Sequence, residues 1–300
     1  MKCAICKEDF DKSHPWKIHR IKLETYLGQY SPRFNKLTNQ PIIFKSLDQY
    51  LTEDFDSKTE LSQWIKQNKS ETIKEYLIQY LIRRKQYKKL SYFPSQFESR
   101  TICFPSVSYI VKNWGLDYLI EISEKSGLPL RYTYSNIDFF DNKSLILVDT
   151  REQIPLFKNQ NIIEIRKLDE GDYELKDKNQ NICIDRKSLN DYIGTMSQGF
   201  ERFERELQRA QDKKKFLIML VESKYTNLAS FNYLPAMRRV KATPDFIFHR
   251  VRELLNKYQN FQIVCVDGRE AAEQFVSKAL KIKTLASEVD FQYYIDNSVF

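Results

Sequence analysis

The chain has 300 residues, 42% of them hydrophobic and 14% aromatic, which is enough apolar material for one large packed domain or two modest ones. This composition excludes an intrinsically disordered chain. The formal net charge of +8 is compatible with a polyanionic partner, although charge alone is a weak indicator because many proteins are mildly basic.

The sequence carries no sign of a membrane or secreted protein. No stretch approaches the roughly 20 apolar residues that a membrane-spanning helix needs. The first ten residues, MKCAICKEDF, are charged where a signal peptide would be apolar. The five cysteines do not show the spacing of a disulfide framework. We therefore expect a cytoplasmic protein with no membrane partner.

The first 35 residues contain a compact group of cysteines and histidines. These residues follow the spacing C-x2-C-x7-H-x4-H and are Cys3, Cys6, His14 and His19. Two thiolates and two imidazoles make a tetrahedral Zn²⁺ site, and so short a module needs a metal to fold. The spacer is shorter than the roughly twelve residues of a C2H2 finger, and Pro15 disfavours helix at His14, so one ligand could come from elsewhere. We predict a structural zinc module over residues 1–35, against the alternative of a terminus without metal.

Residues 36–140 are predicted to form a mainly helical region. Apolar residues recur at three- and four-residue steps over about residues 47–90, and a second helical stretch covers about residues 106–125. A loop with two prolines, residues 92–105, separates the two stretches, and residues 127–143 have the composition of a linker.

From residue 144 onward, short apolar strands alternate with helices. Strand-like segments occupy residues 145–149, 162–165, 216–222 and 261–267. A hairpin is predicted from residues 171–175 and 181–187, around a polar turn. Amphipathic helices are predicted over residues 188–211, with an interruption near Gly199, and over residues 245–258 and 270–280. An antiparallel opening followed by alternating strands and helices predicts a three-layer α/β domain over residues 141–300.

The predicted hairpin places two aspartates opposite each other. If its turn is centred between Lys178 and Asn179, Asp172 faces Asp185 across the two strands. Like charges in such a position are destabilising unless a cation lies between them. Lys187 is two residues beyond Asp185 and therefore projects from the same face of its strand. This arrangement predicts a site for Mg²⁺ or Mn²⁺ beside a lysine that could stabilise phosphate charge.

Each acidic residue taken alone also has a structural explanation. Asp149, at the end of a strand, could cap the following turn, and Asp172 after Gly171 could be a plain turn residue. Asp191 lies three residues after Ser188, which is the spacing of a capping box, and could combine this role with a catalytic one. The catalytic interpretation is favoured because all of these residues lie at or beside strand ends of one predicted domain.

The segments VDTRE, GDY and DRKSLND together resemble the nuclease domain of the XPF-type structure-specific endonucleases, including archaeal Hef. That family carries V-D-x-R-E, then G-D, then E-R-K followed after three residues by D. The positions that match these motifs are Asp149, Arg151, Glu152, Asp172, Asp185, Arg186, Lys187 and Asp191. One of them departs from the family, because an aspartate stands at position 185 where glutamate is usual. The exchange shortens the side chain by one methylene and keeps its charge.

This resemblance implies a restriction-endonuclease-like α/β fold and hydrolysis of DNA phosphodiester bonds with Mg²⁺ or Mn²⁺. The implied metal ligands are Asp149, Asp172 and Asp185. Lys187 would orient the attacking water or stabilise the transition state. The other implied catalytic residues are Arg151, Glu152, Arg186 and Asp191. Family members work as dimers, so a homodimer is expected.

The helix after the last motif also resembles the family. Its segment FERF is similar to an arginine–phenylalanine helix of these nucleases, and Arg202, Arg205 and Arg209 fall on one face, where they could contact the DNA backbone. The alternative is an ordinary solvated stripe. The family's helix-hairpin-helix modules have no counterpart in the last 20 or so residues, so we expect the zinc module and the helical region to bind DNA phosphates.

The resemblance leads to an expected function. It is a metal-dependent DNA endonuclease acting on branched or flap structures in repair, recombination or phage DNA processing. Bacteriophage origin, with a bacterial host cytoplasm as the compartment, is suggested because the amino-terminal pattern resembles degenerate fingers of some phage DNA-processing proteins. The alternative is a non-catalytic zinc-finger DNA-binding subunit or scaffold, which would bind DNA without cutting it.

Overall fold

The structure is a computed structural model and describes residues 33–40, 42, 47–140, 144–158, 160–176, 181–231 and 242–300. The predicted zinc module, with Cys3, Cys6, His14 and His19, lies outside the described residues and stays a prediction. Within the described ranges, no helix has the length and apolar character needed to cross a membrane.

The chain divides into two compact units. The first comprises residues up to Tyr92 together with Ile102–Pro105 and Ile110–Pro129. The second comprises Phe93–Thr101, Ser106–Tyr109 and Leu130–Phe300. Two short segments of the predicted helical region, Phe93–Thr101 and Ser106–Tyr109, thus belong to the second unit.

Residues 47–126 are mainly helical, as their apolar periodicity predicts. Its helices are α1 (Leu47–Thr52), α2 (Lys58–Gln67), α3 (Ser70–Lys88), α4 (Gln96–Thr101), α5 (Val107–Trp114) and α6 (Leu116–Ser126). On α2 the buried residues Leu61, Trp64 and Ile65 follow the predicted spacing. Helix α4 was not predicted, since it lies in the stretch assigned to a loop. Gly115, with a φ of 90°, separates α5 from α6 where one continuous helix was expected.

The second unit contains a six-stranded sheet and most of the remaining helices. Its strands are β1 (Ile146–Val148), β2 (Ile163–Ile165), β3 (Tyr173–Leu175), β4 (Ile182–Lys187), β5 (Phe216–Val221) and β6 (Phe261–Cys265). The helices from β4 onward are α7 (Leu189–Met196), α8 (Phe200–Asp212), α9 (Tyr225–Ser230), α10 (Pro244–Lys257), α11 (Arg269–Ala279) and α12 (Phe291–Asp296). The predicted interruption near Gly199 is confirmed, because this residue separates α7 from α8.

The strands are arranged in the order β2-β1-β3-β4-β5-β6. Strand β3 is antiparallel to both of its neighbours, β1 and β4, whereas β1–β2, β4–β5 and β5–β6 are parallel pairs. The carboxyl ends of β1, β4, β5 and β6 and the amino end of β3 therefore lie at one edge of the sheet. We call this edge the site edge.

Helices cover both faces of the sheet, so the predicted three-layer α/β class is confirmed. On one face, residues of β5 and β6 such as Leu217, Met219 and Ile263 form a core with α7, α8 and α10. On the other face, Phe216 contacts Phe291 of α12, with 6.3 Å between the ring centroids. Gln262 projects to this second face and donates a hydrogen bond of 2.6 Å to the backbone oxygen of Val289.

Candidate active site

The site edge collects the polar residues that the motifs single out. Asp149 follows β1, Asp172 directly precedes β3, and Lys187 ends β4. Glu222 follows β5, and its backbone amide donates a hydrogen bond of 2.9 Å to the backbone oxygen of Lys187. The topology thus brings together residues that are up to 73 positions apart in the chain.

The predicted hairpin register is confirmed. Tyr173 pairs with Ile184 and Glu174 pairs with Cys183, so the next position along the hairpin would join Asp172 to Asp185. The regular pairing of β3 with β4 stops at Tyr173 and Ile184. Beyond it, the Asp172 amide donates a hydrogen bond of 2.7 Å to the backbone oxygen of Ile184. The Oδ2 atom of Asp172 accepts a hydrogen bond of 2.8 Å from the Arg186 amide, which fixes the carboxylate beside β4.

The glycine before Asp172 has a structural role that the short G-D motif does not reveal. Gly171 has a φ of 68°, which L-residues with a side chain rarely adopt. A Cβ atom at this position would lie 3.0 Å from the backbone oxygen of Ile184. Gly171 therefore permits the close approach of the turn to β4 that places Asp172 next to Asp185.

The two carboxylates repel each other in a partly buried setting. Burial raises the pKa of Asp172 to about 7, and the charge of Asp185 acts in the same direction. Asp185 is only 6% exposed, and its buried Oδ2 atom faces the Lys187 ammonium at 2.8 Å. A pair of this kind, with excess negative charge, favours binding of a cation.

Lys187 is the cationic partner of this pair. Its Nζ atom lies 2.8 Å from Oδ2 and 3.0 Å from Oδ1 of Asp185. Burial tends to lower the pKa of Lys187, but Asp185 outweighs burial and the pKa is raised. The Nζ atom also lies 5.9 Å from the centroid of the Phe203 ring. Lys187 therefore stays charged at the site, as the sequence reasoning assumed.

Asp149 has a different environment from the other two predicted ligands. It is 1% exposed, and its two oxygens accept hydrogen bonds from the Arg151 amide and guanidinium and from the Leu168 amide. Burial alone would raise the pKa of Asp149, but these hydrogen bonds dominate and lower it to about 2. Both oxygens are thus already engaged.

The structure does not assemble the predicted set of three metal ligands. Across the described ranges, no three or more His, Cys, Asp or Glu side chains are grouped so that they could hold a metal ion. Asp172 and Asp185 come together, whereas Asp149 is directed to Arg151 and Leu168. The reason is local, because an arginine two residues after a strand-end aspartate can fold back and form a two-point ion pair.

Arg186 is the centre of a separate polar network at the same edge. Its guanidinium lies 3.3 Å from Glu152 and 3.2 Å from Glu222, and it donates a hydrogen bond of 2.7 Å to the oxygen of Ile154. Glu152 in turn accepts a hydrogen bond of 3.1 Å from the Ile154 amide. Arg186 and Glu152 therefore order the loop after β1.

Asp191 takes part in the N-cap at the start of α7, where Ser188 is the capping residue. The Ser188 hydroxyl accepts a hydrogen bond of 3.2 Å from the Asp191 amide and donates one of 2.6 Å to the Asp191 carboxylate. The carboxylate is exposed and is engaged in this cap. The structure thus accounts for Asp191 through helix capping.

The three arginines of α8 are not equivalent. Arg202 and Arg205 are exposed and have no ion-pair partner within the described part of the chain. Arg209 is also exposed, but its Nε atom lies 4.0 Å from the buried carboxylate of Glu170. Of the three arginines predicted to contact DNA, Arg209 is thus directed to an internal acidic residue, whereas Arg202 and Arg205 are not.

Two acidic residues at the site were missed by the sequence reasoning. Glu222 ends the segment FLIMLVE, and the rule that carboxyl ends of parallel strands share an edge could have identified it. Glu206 lies in the middle of α8, and burial followed by the charge of Asp185 raises its pKa. A glutamate inside a helix rich in charged residues gives no sequence signal of its position.

The comparisons with known proteins point to the same segment. Residues 148–281 match a family model described as ERCC4 domain. The matched segment begins in β1 and ends just after α11. It contains the whole carboxylate pair with Lys187, and this agrees with the resemblance of its motifs to XPF-type nuclease domains.

Two solved structures are similar to part of the chain. One is XPF from Aeropyrum pernix in complex with DNA, which is 16% identical, with 46% of this chain and 63% of that chain covered and a TM-score of 0.34. The other is XPF from Aeropyrum pernix, also 16% identical, with 45% and 64% covered and a TM-score of 0.35. The chain thus spans less than two thirds of either structure. A search of curated proteins gave no match.

Proposed function

We propose that the protein is a divalent-metal-dependent DNA endonuclease that hydrolyses phosphodiester bonds, with branched or flap structures as its substrates. The observation that supports this most strongly is the pairing of Asp172 and Asp185 beside Lys187 within the segment that matches the ERCC4 domain. The motif resemblance and the net charge of +8 agree with a DNA substrate.

The residues present fit a hard divalent cation. Mg²⁺ is commonly held by one or two carboxylates together with water and substrate phosphate. Asp172 and Asp185 would therefore supply enough protein ligands for one such ion. The carboxylate of Asp185 is only 6% exposed and pairs with Lys187, and the pKa of Asp172 is raised to about 7 by burial and by Asp185. When bound, Mg²⁺ or Mn²⁺ would neutralise phosphate charge and acidify a water molecule.

Several residues of the chain would act on the DNA directly. Lys187 would orient the water or stabilise the charge that develops on the phosphate. Arg151 keeps its side chain 66% exposed while paired with Asp149, so its guanidinium could also contact a backbone phosphate. Arg202 and Arg205 would contact the phosphates farther along the strand.

The roles of the remaining motif residues are supportive. Asp149 would hold Arg151 in place instead of ligating the metal directly. Arg186 and Glu152 would fix the loop after β1, and Asp191 would fix the start of α7, directly after Lys187 and Ser188. The structural zinc module, the homodimer and a role in repair, recombination or phage DNA processing belong to this proposal as well.

The proposal is tested by offering the purified full chain a panel of DNA substrates. Flap, fork, Holliday and linear duplex DNAs are incubated with Mg²⁺, with Mn²⁺ or with EDTA. We expect cutting only when a divalent cation is present, with branched or flap DNA cut faster than linear duplex. Binding of every substrate without cutting under any condition would contradict the proposal and would favour a non-catalytic DNA-binding subunit or scaffold.

A further inference from the structure

A pocket opens at the sheet edge opposite the site edge. Its cavity volume of about 380 Å³ is within the range of about 300–1,000 Å³ that is typical of small-ligand sites. Residues at the start of β4, β5 and β6 line it, namely Asn181, Ile182, Phe216 and Asn260. Ile182 and Lys187 are the two ends of β4, so the pocket lies about 17 Å along this strand from Lys187.

The backbone that carries two further lining residues, Phe140 and Lys283, is paired. The Phe140 amide donates a hydrogen bond of 2.7 Å to the backbone oxygen of Lys281, and the Lys283 amide donates one of 2.9 Å to the backbone oxygen of Asp138. These two hydrogen bonds join the segments that bring Phe140 and Lys283 to the pocket. The aromatic ring and the ammonium group are therefore presented by ordered backbone.

The described lining of the pocket is positively charged. It includes Lys214, Lys215 and Lys283, and none of the described residues that line it is acidic. Lys215 is neutralised, since it pairs with Glu174 and lies 3.5 Å from Glu170. Lys214 and Lys283 are exposed and form no ion pair within the described ranges. Their two ammonium groups are therefore available to an anion.

Lys214 occupies a backbone position that would suit a glycine better. Helix α8 ends in a Schellman motif, because the Lys215 amide donates a hydrogen bond of 2.8 Å to the Ala210 oxygen and the Lys214 amide donates one of 2.9 Å to the Gln211 oxygen. The first residue beyond the cap of such a motif has a positive φ and is usually glycine. Lys214 has a φ of 56°, which costs stability in a residue with a side chain. The end of the helix therefore does not explain why a lysine stands there.

Apolar and amide side chains line the same pocket. Phe140 is 42% exposed and Leu285 is 67% exposed, whereas Phe216 is buried. Proteins that bind single-stranded nucleic acid combine cationic side chains for the phosphates with aromatic rings on which bases stack. Asn181 and Gln259 add amide groups, which can form hydrogen bonds with base edges. The lining thus has the groups that recognise both parts of a nucleotide.

We propose that this pocket binds a nucleotide of single-stranded DNA, with its phosphate at Lys214 and Lys283 and its base against Phe140. The inference rests on the proposed function, because an unpaired strand is a part of branched and flap substrates. It adds a contact with DNA that is separate from the Asp172–Asp185 pair and outside the motifs of the nuclease resemblance.

The test measures binding of a fluorescent oligothymidylate to the full chain by anisotropy. EDTA is present so that no strand is cut, and the titration is repeated over a series of salt concentrations. In the double variant Lys214→Gln/Lys283→Gln, we expect the slope of log affinity against log salt to become shallower by about 0.7 for each lysine. Phe140→Leu removes the ring but keeps an apolar side chain, and we expect it to weaken binding about 10-fold.

Lys278→Gln and Phe246→Leu are the matched controls. Lys278 is an exposed lysine of α11, and Phe246 is 42% exposed, as Phe140 is, but neither residue lines the pocket. Each control should change the affinity less than twofold. Lys214→Gly provides an independent readout, since glycine suits the positive φ and should raise the urea midpoint of unfolding while oligothymidylate binding weakens. Weaker binding by a more stable protein is not an effect of misfolding.

The outcomes separate this inference from the function on which it rests. The inference is refuted if the wild type does not bind oligothymidylate, or if the pocket variants keep its affinity and salt slope. An effect of the lysines without an effect of Phe140 would indicate a plain anion contact and would also refute it. Ultracentrifugation is run in parallel, and loss of a wild-type dimer in the pocket variants would show an interface between two copies instead. If binding depends on the pocket but flap DNA is never cut with Mg²⁺ or Mn²⁺, only the endonuclease activity is refuted.

Discussion

At the scale of single residues, the site depends on which of its carboxylates already accept hydrogen bonds on both oxygens from within the protein. Asp149, Asp172 and Asp185 look alike in the sequence, yet hydrogen bonds lower the pKa of Asp149 to about 2, whereas burial and Asp185 raise that of Asp172 to about 7. The spacing of the hairpin was sufficient to predict the Asp172–Asp185 pair. The pairing of Asp149 with Arg151 could not be predicted, because it depends on the direction of the Arg151 side chain.

A buried aspartate outside the site leads to a prediction about pH. Asp290 is fully buried, and burial raises its pKa to about 7 from an ordinary value of 3.8. It accepts hydrogen bonds from the Gln96 amide, the Tyr293 amide and the Tyr134 hydroxyl. Since the folded protein favours the neutral acid, the stability that this group contributes is fully present below about pH 4 and is lost as the pH rises through about 7.

Asp290→Asn, which mimics the neutral acid, should remove this dependence. Between pH 5 and pH 8, the free energy of unfolding of the wild type is expected to fall relative to that of the variant by an amount on the order of 2 kcal/mol. Urea unfolding at a series of pH values measures the difference. If the free energies of unfolding of the two proteins change with pH in parallel, Asp290 does not titrate in this range.

At the scale of secondary structure elements, long periodic segments were predicted well and short ones were missed. The strands and the helices α2, α3, α8, α10 and α11 have apolar repeats that indicate their type and position. Helices α4, α9 and α12 have six residues each, which is too short for a helical period to show. The sequence also could not show that α8 packs along the Asp172 turn, because the contacts of Lys213 join residues more than 40 positions apart.

The Gly171 turn is the element on which the carboxylate pair depends most. Gly171→Ala is expected to lower the free energy of unfolding by about 1–3 kcal/mol, since it combines a positive φ with a Cβ atom 3.0 Å from the Ile184 oxygen. It should also slow DNA cutting, because relief of the clash moves Asp172 away from Asp185.

Gly194→Ala is the matched control for this variant. Gly194 lies in α7, and an added Cβ atom would meet nothing within 4 Å. The exchange should therefore be neutral or stabilise the protein by up to about 1 kcal/mol. Urea unfolding and cutting assays of both variants check the prediction, and equal effects at the two positions would contradict it.

At the scale of the whole molecule, the fold class followed from the order of the elements. An antiparallel opening followed by alternating strands and helices was predicted, and β3 is indeed antiparallel within an otherwise parallel arrangement. The segments Phe93–Thr101 and Ser106–Tyr109 join the second unit although they precede its sheet by more than 30 residues. Such an assignment depends on tertiary contacts and leaves no mark on local sequence patterns.

The central claim for the whole molecule is that the Asp172–Asp185 pair performs metal-dependent cutting. The most direct measurement compares single-turnover cutting rates of flap DNA at saturating Mn²⁺ for the wild type, Asp172→Asn and Asp185→Asn. Asp267→Asn is the control, because this aspartate is exposed and pairs with Lys224 close to the same sheet edge. We expect both pair variants to be slowed at least about 100-fold and the control to match the wild type. Cutting by Asp172→Asn or Asp185→Asn at the wild-type rate would contradict the assignment of this site.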